Sequence, residues 1–184
     1  MGYRLTIDPG SEGTGIAVWE SLHWKHKLRY PRKTINLTAP KDHEWQDKAD
    51  LILISLRGYV EGCNSDLRSK VRAAYIEYPE YFSTSEKGSA AAGSGKLVKL
   101  VFLAGGIYGV LRSLGIPTYL VPVNQWRGQV PERVLLGRIK ARLPDLEYKK
   151  LTPHEIDAIG IGLHVQGWLH GTSYHSDEPT RVSA

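Results

Sequence analysis

The chain has 184 residues, 41% of them hydrophobic, and a formal net charge of +5. That length suits one compact α/β domain with a real core, and no run of about 18 apolar residues is present to span a bilayer. A single cysteine, Cys63, excludes an internal disulfide and a cysteine-based zinc site, as suits a reducing compartment.

In chain order, residues 3–8 (YRLTID) and 14–20 (TGIAVWE) read as two strands joined by a PGSEG hairpin turn. Residues 28–37 read as a third strand, placed at an edge or bulged by Pro31. Short links between the three predict an antiparallel meander. From Asp42 the period changes: Trp45, Ala49, Leu53, Leu56 and Val60 form one helical face, which ends at Gly62. Residues 73–77 (AAYIE) read as a buried strand that finishes on an acid.

The stretch 79–96, rich in Gly, Ser and Ala, reads as a mobile loop. A helix over 97–112 follows, with a stripe of Leu97, Leu100, Val101, Ala104, Ile107, Tyr108 and Leu111, and Gly115 stops it. Residues 116–122 predict the next strand, and a helix with Pro131 in its first turn runs to about Leu143. The last helix has the clearest start. Thr152 is its N-cap, Pro153 its first residue, and Glu155 completes a capping box. The order is βββαβαβαα, with one domain over 1–170 and a polar tail over 171–184 expected to be flexible. No basic-then-apolar leader is seen at the start, so no secretory signal is expected.

Asp8 closes the first strand and Glu77 the fourth, while His154 and Asp157 lie three apart on the last helix and share a face. Each has an ordinary reading: a hairpin turn for Asp8, a solvated strand end for Glu77, a polar first-turn residue for His154. Together on this element order they suggest more. Carboxylates held side by side repel and take up protons, whereas a divalent cation relieves that repulsion and uses the same oxygens. Oxygen ligands with at most one imidazole indicate Mg2+ or Mn2+ rather than zinc. Glu155 is better explained by capping. The net positive charge favours a polyanionic partner without identifying one.

Three stretches carry a family resemblance. "IDPGSEGTG" resembles the first-strand motif, "YIEYPEYF" the second acidic motif and "HEIDAIGIGLHV" the closing helix of the RuvC family of Holliday-junction resolvases, within the ribonuclease-H-like nucleases. The resemblance spans residues 3–168. It implies a ribonuclease-H-like α/β fold, a mixed five-stranded sheet with three antiparallel strands then parallel ones, flanked by helices. It also implies an endonuclease that resolves four-way DNA junctions by paired symmetric nicks, acting as a homodimer in the cytoplasm of a bacterial or phage-infected cell, with no membrane partner.

Asp8, Glu77, His154 and Asp157 match the family's catalytic metal-binding set, although some members have a carboxylate at the position of His154. The implied cofactor is a pair of Mg2+ ions sharing Asp8, with Mn2+ as a substitute. One activates the attacking water and the other stabilises the leaving 3′ oxygen. The family's DNA-contacting aromatic falls at Tyr81 or Phe82, the register being open between them. Arg133 stands where a Lys is common. Lys87, Lys96, Lys99 and Arg127 complete the expected phosphate contacts. Insertions around 21–30 and 83–95 depart from the compact bacterial pattern and suit a phage-type relative. Two other readings stand beside this one: another ribonuclease-H-like nuclease acting on flaps, forks or hybrids, and a non-catalytic branched-DNA binding protein. An actin-like ATPase, which needs two such domains, is too large for 184 residues.

Overall fold

The computed structural model describes residues 2–20, 30–62, 70–79, 95–128 and 130–169. Strands β1 (Tyr3–Asp8), β2 (Thr14–Glu20) and β3 (Pro31–Leu37) form the expected antiparallel meander. Helix α1 (Trp45–Gly62) then leads to β4 (Val71–Tyr78), which lies parallel to β1. Helix α2 (Lys96–Ser113) returns the chain to β5 (Thr118–Pro122), parallel to β4. A four-residue helix α3 (Val123–Trp126), helix α4 (Glu132–Arg142), a 3-10 turn at Tyr148–Lys150 and helix α5 (Pro153–Val165) complete the chain. The sheet order is β3-β2-β1-β4-β5.

Side chains of a strand alternate between faces, and this alternation divides the core in two. Leu5, Ile7, Ile16, Val18, Ala74 and Ile76 pack with α1 and α2 on one face. Ala17, Trp19, Val121 and Tyr75 pack with Trp126, α4 and α5 on the other. Full burial of each large aliphatic side chain contributes roughly 1.5–3 kcal/mol. The same alternation sends Thr6 and Asp8 to the α5 face, together with Tyr75 and Glu77.

Thr6 is wholly buried there, and its hydroxyl is satisfied twice. It donates to the Ala158 carbonyl at 2.7 Å and accepts from Trp19 Nε1 at 2.8 Å. This pins the middle of α5 to the middle of β1. A buried hydroxyl without partners costs free energy; here it becomes a fixed anchor.

Three boundaries and the phase of one helix differ from the sequence reading. β3 starts at Pro31, residues 21–29 lying outside the described residues. β5 starts at Thr118, since Pro117 has no N–H to donate and contributes only its carbonyl, which accepts from Ala74 N at 2.8 Å. Pro131 is the N-cap of α4 rather than within its first turn. The core face of α2 is rotated from the predicted stripe: Leu103, Ala104, Ile107 and Leu111 are buried, whereas Val101 and Tyr108 face outward. "KLVKLVFLAGGIYGVLRS" is apolar nearly all round, so its period does not determine its phase. Among the described residues no helix is long and apolar enough to cross a membrane.

Candidate functional site

Parallel pairing of β1 and β4 matches Ile7 with Ile76, so Asp8 and Glu77 emerge side by side at one end of the sheet. Helix α5 begins at the same end. Its capping box is fully formed, with Glu155 N donating to Thr152 Oγ1 at 3.3 Å and Thr152 N to Glu155 Oε2 at 2.9 Å. Glu155 is thus committed to the cap, and His154 and Asp157 are left to face the acids. The structure brings together all four residues singled out from sequence.

Asp8 is only 5% exposed. Its Oδ2 lies 2.6 Å from His154 Nδ1, within hydrogen-bond distance; with Asp8 ionised, Nδ1–H donates. Burial pushes the Asp8 carboxyl above the usual range, and the hydrogen bond with Asp8 raises His154. Burial, then the charges of Asp8 and Asp157, push Glu77 up to about 8. Burial and the charge of Asp8 push Asp157 up to about 6. The charge of Asp8 thus bears on both other carboxyls, and that of Asp157 on Glu77.

Each acid is tied to an internal donor. Besides the Asp8–His154 pair, Trp126 Nε1 donates to Glu77 Oε2 at 2.8 Å and an Arg127 guanidinium N–H donates to Asp157 Oδ2 at 3.1 Å. With the acids held this way, no three His, Cys, Asp or Glu side chains among the described residues close into a ready ligand cluster. The donor set nonetheless fits a hard divalent cation. Three mutually repelling, partly buried carboxyls and one imidazole are short of positive charge at the place where they converge. Glu132, in the first turn of α4, adds its negative charge to the surroundings of Asp157.

The glycines of the first motif have a steric reason that a hairpin reading misses. Gly15 lies opposite Asp8 in the β1–β2 ladder. A Cβ there would fall 2.0 Å from the His154 carbonyl oxygen and 2.6 Å from Glu155 N. At Gly10, a Cβ would fall 2.3 Å from the imidazole Cε1. These two positions let the start of α5 and its histidine lie directly against β2 and the turn after Asp8.

The expected DNA contacts are spread more widely. Lys96 is exposed at the start of α2, and Lys99 reaches over the Trp45 ring with Nζ 5.8 Å from its centroid. Arg133 is exposed on α4. Arg127 is paired with Asp157. Tyr81, Phe82 and Lys87 lie outside the described residues. Sequence reasoning passed over Trp126 and Glu132, whose places beside the acids come from long-range packing rather than from any local pattern.

A pH effect follows from the raised carboxyls. In the metal-free protein Glu77 and Asp157 hold protons that the unfolded chain, with ordinary values of 4.5 and 3.8, has already released. Stability in EDTA is therefore expected to fall as pH rises from about 4 to about 8. His154, raised by its hydrogen bond, acts in the same direction above its ordinary 6.5. Thermal unfolding across that range checks it, and a melting temperature that climbs with pH contradicts it.

No protein-family model matches the chain, and no curated protein matches it in sequence. Solved structures do match. A RuvC structure from Thermus thermophilus aligns with a TM-score of 0.62 at 15% identity, covering 92% of this chain and 97% of that one. T. thermophilus RuvC in complex with Holliday junction substrate aligns with a TM-score of 0.62 at 17% identity, over 89% of this chain and 92% of that one. The fold is RuvC-like, with the mixed five-stranded sheet and flanking helices expected of the ribonuclease-H-like class.

Proposed function

We propose that this chain is a structure-selective endonuclease that resolves four-way DNA junctions by metal-dependent phosphodiester hydrolysis. Asp8, Glu77, His154 and Asp157 hold the metal and carry the chemistry. The observation that carries this reading is the convergence of three carboxyls from β1, β4 and α5, with Asp8 raising both of the others, at one end of a RuvC-like sheet. A purely structural role for such a cluster is disfavoured, because buried like charges destabilise the fold that holds them.

A pair of Mg2+ ions, or Mn2+ in their place, supplies activation of the attacking water and charge neutralisation at the leaving 3′ oxygen. The protein's own contribution is placement. Asp8 is fixed at the last residue of a buried strand. His154, with Nδ1 engaged by Asp8, presents Nε2 as the atom left to bind or to move a proton. Arg127, partly exposed on its ion pair with Asp157, is free to exchange that partner for a phosphate when a cation takes its place.

Lys96, Lys99 and Arg133 grip the backbone of the junction arms, in keeping with a ligand read by shape. Two symmetric cuts call for a twofold dimer. The outward side of α2, with Phe102 58% and Val98 68% exposed, offers an apolar face for it. The experiment that tests the activity compares cleavage of a four-way junction with that of flaps, forks and RNA–DNA hybrids in Mg2+. The junction is expected to be cut fastest. Faster cutting of any other substrate transfers the site to that reaction, and tight binding without cutting replaces it with a non-catalytic branched-DNA binder.

A further inference from the structure

Trp126 ends the four-residue helix α3, directly after β5, and is fully buried. A buried indole N–H needs an acceptor, and this one gives its hydrogen bond to Glu77 Oε2 at 2.8 Å. The ring is clamped on several sides. It packs in the core formed by Val121, Leu135, Ile139 and Ala158. Helix α5 makes room for it with Gly160, where a Cβ would fall 2.6 Å from Cζ3. Sheet, α4 and α5 together set the direction of one N–H.

The other two ties in the site differ in kind. His154 and Arg127 are charged or chargeable partners, and their side chains are 34% and 28% exposed. Both compete electrostatically with a cation and have room to move away. The indole is neutral, so it orients the carboxylate without neutralising it, and it has no room to move. Oε1 of Glu77 accepts no hydrogen bond among the described residues. Resting on the nuclease reading above, we infer that Trp126 is a positioning residue for Glu77: its buried N–H holds Oε2 so that Oε1 is presented, already oriented, to a divalent cation. Partners that orient a metal ligand in this way typically affect affinity by about 10–100-fold.

The test is Trp126→Phe, which keeps a ring in the slot and removes the N–H. Mn2+ affinity of the DNA-free protein is measured by calorimetry, beside the Mg2+ dependence of junction cleavage and the melting temperature. The expected result is Mn2+ binding weakened about 10-fold or more, with the Mg2+ midpoint for cleavage raised by a similar factor and cleavage largely restored at saturating Mg2+. A merely structural role lowers the melting temperature and leaves the metal midpoint in place. Folded variant and wild type with equal Mn2+ affinity overturn the role of Trp126 alone, whereas a wild type that binds no Mn2+ overturns the nuclease reading with it.

If Trp126→Phe does not fold, the indole N–H is followed in the wild-type protein by 15N-edited NMR, identified as the indole resonance displaced by Glu77→Gln. A slowly exchanging N–H that shifts on Mg2+ addition supports the assignment. One that exchanges freely, or ignores the metal, overturns it.

Discussion

Asp8→Asn is expected to abolish junction cleavage, by about 10³-fold or more, while junction binding stays within a few-fold of wild type. Asparagine keeps the size of the side chain and an acceptor for His154, but removes the charge on which Glu77, Asp157 and His154 all depend. On the proposed function, binding draws on phosphate contacts made elsewhere, for which Lys96, Lys99 and Arg133 are the candidates among the described residues. The same substitution has an opposite signature on stability. Without the Asp8 charge, Glu77 and Asp157 move back toward their ordinary range, so the metal-free variant should melt higher than wild type near pH 8. Strand-cleavage assays and thermal unfolding in EDTA check both halves. Magnesium-dependent cleavage retained by pure Asp8→Asn protein contradicts the role given to this residue.

The second large effect is expected at Gly15, a buried backbone position opposite Asp8 with no side chain of its own. Its added methyl would fall 2.0 Å from the His154 carbonyl oxygen. Backbone cannot swing aside as a flexible side chain can, so α5 must lift from β2, while Thr6 holds the helix at Ala158. Gly15→Ala is expected to cost about 3 kcal/mol, a fall of roughly 6–12 °C in melting temperature for a chain of this size. Any folded protein should cleave about 10²-fold more slowly, since a displacement near 1 Å at His154 and Asp157 is enough for that. Gly58→Ala is the control. That glycine lies within α1 with nothing within 4 Å of its added Cβ, so alanine should stabilise by up to about 1 kcal/mol through helix propensity. Equal melting temperatures for Gly15→Ala and wild type would contradict the close approach of α5.

What the sequence disclosed and what it hid divide along the range of the interactions. Asp8, Glu77, His154 and Asp157 were legible because each is marked locally, by a strand end or by a first helical turn with its capping box. Their convergence needed one further inference, that the first and fourth strands are neighbours, and the sheet order provides it. The phase of α2 was hidden because apolar residues surround that helix; only the sheet decides that Leu103 turns inward and Val101 outward. Trp126 was hidden for another reason. Its hydrogen bond joins residues 49 apart in sequence, and nothing local to "VNQWR" marks the tryptophan as a partner of an acid on β4. The hairpin of the first motif was legible, but the full reason for its glycines was not. A turn explains a Pro-Gly step, yet Gly10 and Gly15 answer to a helix about 140 residues further on.

The measurement that bears most directly on the central claim is cleavage of a synthetic four-way junction by the purified protein, with each strand end-labelled in turn, in Mg2+ and in EDTA. Paired nicks at symmetric positions across the junction, present in Mg2+ and absent in EDTA, are the predicted result. A protein that binds the junction tightly and cuts no strand in Mg2+ or Mn2+ contradicts it.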